Sequence, residues 1–199
     1  MRYVFILIIG IYAVVNGGNN TINWLGDSST NSIRPAIIDS VTTTDAIGRL
    51  ADSIVLIYQL PIPKEEVENW LRIMVHLESR TNTKAVNPKT GDSGLFQFAS
   101  ITRNDLGLTN VIEQPIEVQC HWYLKFLKRL GNKPYQIRTS GDLYALNYLP
   151  GRFNAPYLSK KRDKYYIRLL DRDNDGFVTK NDLTKYIQQN GIIHSKPSR

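Results

Sequence analysis

Apolar residues recur at helical spacing in three stretches of this chain, with polar residues at the positions between them. The pattern predicts helices over three ranges: 42 to about 60, 63–78 and 118–130. The first begins with hydroxyls and a carboxylate that suit an N-cap and ends before Pro61, and the third ends at Gly131. Strand patterns are scarce, so any sheet is expected to be a short hairpin around residues 84–98. The pattern therefore predicts a mainly α fold.

Glu78 ends the second predicted helix on its apolar side, in register with Val67 and Leu71. Burying a carboxylate without a partner is costly, and desolvation raises the pKa of such a group. A glutamic acid that holds its proton near neutral pH can act as a general acid, which is the chemistry needed to break a glycosidic bond. The alternative is a carboxylate that protrudes at the helix end, capped by Ser79 and Arg80.

Four sequence elements follow one another from this position: a Glu-Ser pair, an Ala-x-Asn-Pro loop that leads to Gly-Leu-x-Gln, an Ala-Leu-Asn segment that leads to Pro-Gly-Arg, and a Tyr-Ile pair. They lie at residues 78–79, 85–97, 145–152 and 166–167. In type and order they resemble the motifs of lysozyme-like lytic transglycosylases, which degrade peptidoglycan. The resemblance implies that residues 42–170 form a lysozyme-like α+β domain, which contains a small hairpin.

The resemblance also implies roles for individual residues. Glu78 would protonate the leaving sugar oxygen and then act as the base. The implied substrate-binding residues are Ser79, Gly94, Leu95, Gln97, Asn147 and Tyr166. Asn147 would orient the substrate or Glu78 from the opposite wall, and Tyr166 would pack beside the acid and exclude water. The third element departs from the family pattern, because Leu146 stands in place of its Tyr and residues 148–149 in place of its Ala-Gly.

The family cleaves the MurNAc-GlcNAc β-1,4 bond with one carboxylate and the substrate's own N-acetyl group, and it leaves a 1,6-anhydro end. Most other glycosidases use two carboxylates. Asp92 and Asp105 are conceivable second carboxylates here, although the Gly-Asp-Ser-Gly setting of Asp92 is typical of a turn. A goose-type-like muramidase, which hydrolyses the bond, is therefore the alternative enzyme. A structural or adaptor protein that keeps the fold without catalysis is the alternative of a different class.

A second motif at residues 171–182 has the spacing of an EF-hand calcium loop, with Gly176 at its sharp turn. The predicted ligands are Asp171, Asp173, Asp175, the backbone carbonyl of Phe177, Thr179 and Asp182. Asp in place of Glu at the last position predicts weaker Ca²⁺ binding or tolerance of Mg²⁺. Flanking apolar residues predict a helix-loop-helix over residues 158–190, and the alternative is an acidic turn between two helices. The metal would be structural, bracing the cleft wall that carries Tyr166, and catalysis would need none.

The sequence of the N-terminal segment predicts that the protein is exported. Residues 1–18 have the short apolar run of a signal peptide or membrane anchor, residues 19–41 the polar composition of a flexible linker, and residues 191–199 that of a disordered tail. We therefore expect a protein exported to the bacterial envelope, in the periplasm or cell wall, or associated with a virion. Its partners would be peptidoglycan strands, a membrane through the N-terminal segment, and proteins of a phage tail or a secretion machine.

Charge and cysteine content narrow the picture further. The 199-residue chain has a formal net charge of +7, and residues 125–164 hold ten Lys or Arg against two Asp. Such a surface attracts polyanions, which in a cell wall are teichoic acids, lipid headgroups or peptide-stem carboxylates. Nucleic acid is disfavoured as a partner because no groove-reading motif accompanies the charge. Cys120 is the only cysteine, so an internal disulfide is excluded.

Overall fold

The computed structural model describes residues 43–160 and 169–194, and within these ranges the chain is mainly α-helical. The α-helices are α1 (Thr43–Tyr58), α2 (Lys64–Ser79), α3 (Ser100–Leu106), α4 (Ile116–Arg129), α5 (Ser140–Tyr148) and α6 (Lys180–His194). Short 3-10 turns lie at Val111–Glu113, Pro134–Gln136 and Pro150–Arg152. Strands β1 (Ser159–Lys160) and β2 (Phe177–Val178) form an antiparallel pair. The mainly α prediction is confirmed.

Helices α1, α2 and α4 confirm the three helices that the hydrophobic pattern predicts. Helix α2 begins after Pro63, whose missing N–H costs nothing at a helix start, and it carries Glu65 and Glu66 in its first turn. Helix α4 begins two residues before the predicted position, and the chain beyond its C-terminus turns at Gly131 with a φ of 65°. Amphipathic helices are predictable because a single buried stripe imposes its period on the sequence.

Helix α2 lies at the centre of the fold and contacts α1, α5 and α6. Its side chains Val67, Leu71 and Met74 are fully buried in one hydrophobic core. Each such burial stabilises the fold by about 1.5–3 kcal/mol relative to an exposed side chain. The apolar stripe of α2 thus fixes the orientation of the helix and, with it, the direction in which Glu78 points.

The predicted hairpin at residues 84–98 is replaced by a tighter loop. Two isolated antiparallel bridges, Val86 with Ser93 and Ser93 with Phe98, are present there instead of regular strands. The backbone turns back at Gly94 and Gln97, which have positive φ values of 81° and 51°, so neither side continues as a ladder. Within the described residues the two-stranded sheet is the β1–β2 pair, in which Ser159 faces Val178.

Helix α5 has no amphipathic signature, yet it is a regular helix with a capping box. The Thr139 side chain accepts from the Asp142 N–H, and the Asp142 carboxylate accepts from the Thr139 N–H. Nearly every residue of α5 is buried, so it passes through the interior rather than along the surface.

The structure also bears on the predicted ends of the chain. Helix α6 continues through His194, past the predicted start of the tail at residue 191. The predicted leader (1–18), the linker (19–41), Tyr166 and residues 195–199 lie outside the described residues. Over residues 43–160 and 169–194, no helix has the length and apolar character needed to cross a bilayer.

Candidate active site

Glu78 lies in the last turn of α2, just before the chain turns away at Arg80 with a left-handed φ of 57°. The side chain is partly buried, as its position in register with the apolar stripe predicts. Helix α5 packs against α2 and lies beside the Glu78 side chain. The carboxyl therefore sits between a helix end and a buried helix, with restricted access to water.

Asn147 of α5 donates a hydrogen bond from Nδ2 to Glu78 Oε1 at 3.2 Å. This is the contact that the resemblance implied for Asn147. Tyr144 lies almost one helical turn earlier on the same face of α5, and its fully buried hydroxyl also approaches the Glu78 carboxyl. The Tyr144 hydroxyl interacts with the Glu78 carboxyl electrostatically. It does not form a well-aligned hydrogen bond with any described residue. One face of α5 thus presents two polar groups to the acid.

Burial raises the pKa of Glu78 to about 7, from an ordinary value of 4.5. The contacts from Tyr144 and Asn147 oppose this shift because they stabilise the carboxylate, while the negative charge of Asp92 adds to it. A group with this pKa is present in both protonation states at neutral pH. It can donate a proton in one step and accept one in the next, as the two halves of glycosidic bond cleavage require.

Of the two conceivable second carboxylates, Asp92 is the one that shares the environment of Glu78. Its side chain is only 2% exposed and accepts a hydrogen bond from the Thr90 hydroxyl at 2.6 Å. Burial raises the pKa of Asp92, and Thr90 and Arg103 limit the rise. The bond to Thr90 agrees with the predicted turn role. Asp105 instead forms an exposed ion pair with Arg129 at 2.9 Å.

The Gly94–Gln97 segment forms a wall loop whose polar groups bond mainly to the loop itself. The Gln97 side-chain amide donates to the Gly94 carbonyl at 2.9 Å and, more weakly, to that of Ala85. Leu95 is fully buried, so its side chain belongs to the core and does not face a sugar. The hydroxyl of Ser79 donates to the Val75 carbonyl within α2. The polar side chains of Ser79 and Gln97 thus bond within the protein, and these bonds brace the segment.

Gln119 of α4 is the brace that the sequence interpretation missed. It is fully buried; its Oε1 accepts from the Leu95 N–H at 2.7 Å, and its Nε2 donates to three backbone carbonyls. Those acceptors are Thr83, Val111 and Gln114, at 3.0, 3.0 and 2.9 Å. A polar residue in register with Tyr123 and Leu127 on an apolar stripe was the available signal. Tyr144 carried a similar one, since it stands three residues before Asn147.

The acidic loop brings three of its predicted ligands together. Oxygen atoms of Asp171, Asp173 and Asp175 lie within 4.8 Å of one another. The Oδ1 atom of Asp171 is buried without a hydrogen-bond partner, while its Oδ2 accepts from the Gly176 N–H at 2.9 Å. Asn174 and Gly176 have the positive φ values that fold the loop into a tight turn. An orphaned buried oxygen beside two carboxylates is the environment that a divalent cation would satisfy.

The remaining predicted ligands are held differently. Both Asp182 oxygens accept hydrogen bonds, Oδ1 from the Arg172 N–H at 3.0 Å and Oδ2 from the N–H and hydroxyl of Thr179. The Asp182 N–H donates in return to the Thr179 hydroxyl, and these reciprocal bonds form a capping box at the start of α6. Phe177 lies in β2 opposite Lys160, which ties the loop to the chain that follows α5. The three clustered aspartates thus fit a cation, and Asp182 lies outside their cluster.

Comparison with known proteins gave no assignment: no protein-family model, curated protein or solved structure matched the chain.

Proposed function

We propose that this protein cleaves the glycan strands of peptidoglycan as a lytic transglycosylase, with Glu78 as the general acid and base. One observation carries the proposal: a partly buried carboxyl group with a pKa raised to about 7, bonded to Asn147 from the facing helix. The order of the motifs from residue 78 to residue 152 supports the same assignment. The catalytic step itself needs no metal.

In the proposed reaction, Glu78 donates its proton to the oxygen of the MurNAc-GlcNAc β-1,4 bond as that bond breaks. The N-acetyl oxygen of MurNAc bonds to C1 and stabilises the positive charge left there. The Glu78 carboxylate then takes the proton of the C6 hydroxyl, whose oxygen attacks C1 and displaces the N-acetyl group. A 1,6-anhydro end results, and Glu78 regains its proton. Asn147 and Tyr144 stabilise the carboxylate between these steps.

A muramidase is the second candidate, and the placement of Asp92 favours it. A buried second carboxylate that interacts with Glu78 is the kind of group that activates water in inverting glycosidases. The two reactions give different products. Hydrolysis leaves a reducing sugar end, which is heavier by one water than the 1,6-anhydro end that a transglycosylase leaves. Mass spectrometry of digested sacculi separates them directly.

The test of the enzyme proposal is a digest of purified sacculi by the wild type, Glu78→Gln and Glu66→Gln. Glu66 is an exposed glutamate on the same helix, so its variant controls for loss of charge alone. We expect activity of the Glu78→Gln variant to fall by about 100-fold or more, because a general acid contributes that much, and activity of Glu66→Gln to stay at the wild-type level. Clearing by Glu78→Gln at the wild-type rate would exclude Glu78 as the acid. Absence of clearing by the wild type would favour the non-catalytic adaptor.

The proposal includes the place where the enzyme acts. An exported or virion-associated enzyme would open the wall locally, during phage entry or the assembly of a machine that spans the envelope. The basic stretch at residues 125–164 would contact anionic wall components. The clustered aspartates of the loop would hold Ca²⁺, or Mg²⁺, as a structural ion.

A further inference from the structure

The N-terminus of α5 is capped from a different helix. The first N–H groups of a helix have no partner within it. In α5 the Thr139 side chain satisfies the N–H of Asp142, while the N–H of Gly141 donates to Thr184 Oγ1 of α6 at 3.2 Å. The Thr184 hydroxyl in turn donates to the Lys180 carbonyl, which fixes its lone pairs toward Gly141. Thr184 therefore completes the cap of α5 from the neighbouring helix.

Lys180 adds an ionic contact at the same junction. Its Nζ lies 2.8 Å from Asp142 Oδ1, the carboxylate that closes the capping box of α5. The same ammonium group lies 4.2 Å from the centre of the Phe153 ring, in the chain that leaves α5. Lys180 thus holds the start of α5 and the segment after its end at one point. Burial alone would raise the pKa of Asp142, but its bonds from Lys180, Arg138 and Thr139 lower it, so the ion pair persists at neutral pH.

Helices α5 and α6 are closely packed where they meet at Gly141. A Cβ atom added to Gly141 would lie 2.0 Å from the Lys180 carbonyl oxygen and 2.3 Å from Thr184 Oγ1. Backbone and side chain of α6 therefore fill the space directly beside the first turn of α5. Because interiors packed this closely transmit displacement, a shift of α6 would shift α5 with it.

Helix α5 carries both Tyr144 and Asn147, the two groups that meet Glu78. We propose that Lys180 and Thr184 are positioning residues, which hold α5 so that Asn147 and Tyr144 reach the Glu78 carboxyl. The proposal rests on the acid role of Glu78 and deepens it, since it makes the C-terminal helix a part of the cleft wall. It gives α6 a role that does not depend on the metal loop being occupied.

The test uses Thr184→Val, which removes the acceptor at nearly constant shape, and Lys180→Met, which removes the charge and keeps the chain length. Thr184→Ser retains the hydroxyl and serves as the conservative variant. Lys64→Met is the matched control, because Lys64 forms a comparable ion pair with Asp52 at 3.0 Å on the surface. Two quantities are measured: the pKa of Glu78 from ¹³C NMR of the side chain, assigned with Glu78→Gln, and the pH profile of kcat on sacculi.

We expect Thr184→Val and Lys180→Met each to raise the pKa of Glu78 by about 0.5 unit, because looser contacts stabilise the carboxylate less. We expect kcat to fall about tenfold with little change in KM, since the reacting group is misplaced. Thr184→Ser and Lys64→Met should match the wild type in both quantities. Within residues 43–160 and 169–194, the charged or titratable groups that face Glu78 are Tyr144 of α5, Tyr123 of α4 and Asp92 of the wall loop, and none of these is altered.

An unchanged Glu78 pKa in both Thr184→Val and Lys180→Met would overturn the proposal, even if their melting temperatures fell. An equal rise of the pKa in Lys64→Met would overturn it as well, because the effect would then be general. If Thr184→Val does not fold, Lys180→Met decides alone. The NMR measurement needs no substrate, so it distinguishes failure of this proposal from failure of the proposed enzymatic function.

Discussion

At the scale of single residues, the chemistry of the site depends on a balance at Glu78. Burial favours the neutral acid, and Asn147 and Tyr144 favour the carboxylate. The two influences act on the pKa of Glu78 in opposite directions. Together they leave the pKa at about 7, where proton donation and proton acceptance are both accessible. Asp92 adjusts this balance toward the acid, so changes in its charge are felt at Glu78.

The raised pKa of Glu78 has a consequence for stability, which Glu78→Gln makes measurable. The folded protein holds this proton up to about pH 7, whereas an ordinary glutamate loses it near 4.5. The folded state therefore loses stability as the pH rises between these values, and above pH 7 the loss is complete. The uncharged amide avoids that loss, so the variant should gain up to about 3 kcal/mol over the wild type at alkaline pH and little in acid.

Urea denaturation of wild type and Glu78→Gln, in mildly acidic and in alkaline buffer, measures this difference. Glu66→Gln provides the control, because Glu66 is exposed on the first turn of the same helix. A stability difference between wild type and Glu78→Gln that is independent of pH would show that Glu78 titrates as an ordinary surface glutamate.

At the scale of elements, what the sequence predicts depends on how each helix is buried. Helices α1, α2 and α4 each have one wet face, so their apolar period could be recognised before the structure was known. Helix α5 is buried nearly all round, which removes the period and conceals the helix. The wall loop was misjudged for another reason: its turns occur at positive φ, including at Gln97, a residue type that carries no turn signal.

Gln119 of α4 joins its helix to the wall loop and to the backbone at Thr83, Val111 and Gln114, and Gln119→Leu should be strongly destabilising. The substitution is close in volume but leaves four backbone groups without this partner: the buried ones at Leu95 and Val111, and the partly buried ones at Thr83 and Gln114. Unsatisfied buried groups of this kind cost about 1–3 kcal/mol each, and partial relaxation should leave a loss of about 3 kcal/mol in the free energy of unfolding. Urea denaturation measures that loss.

The matched control for Gln119→Leu is Gln188→Leu, an exposed glutamine within α6. It should change stability by no more than about 0.5 kcal/mol, as is usual for surface positions. Comparable losses in the two variants would mean that the hydrogen bonds of Gln119 contribute nothing beyond its packing.

At the scale of the whole molecule, distant segments meet at one carboxyl group, and this limits what a sequence alone can show. Glu78 and Asn147 could be proposed together because their motifs resemble those of one family, and the structure brings them within hydrogen-bonding distance. Tyr144 and Gln119 could not be assigned in that way, because their partners are set by the crossing of helices rather than by local spacing. The partner strand of the acidic loop was equally hidden, since β1 is only two residues long.

Because the acidic loop is joined to the domain on two sides, a cation bound there should stabilise the whole fold. Strand β2 pairs with β1, and α6 packs on α5, so loosening the loop loosens the wall of the site.

We expect Ca²⁺ at 100 times its dissociation constant to add about 2.7 kcal/mol to the free energy of unfolding, with a corresponding rise in Tm, and chelator to reverse it. Asp173→Ala should abolish the response at little cost to the metal-free protein, because Asp173 is exposed and its ion pair with Lys185 is long, at 3.4 Å. Asp52→Ala, which removes a different surface aspartate, should respond to Ca²⁺ as the wild type does. A Tm that ignores Ca²⁺ and Mg²⁺ alike, or that rises equally in Asp173→Ala, would identify the loop as an acidic turn whose capping box at Asp182 is sufficient to hold it.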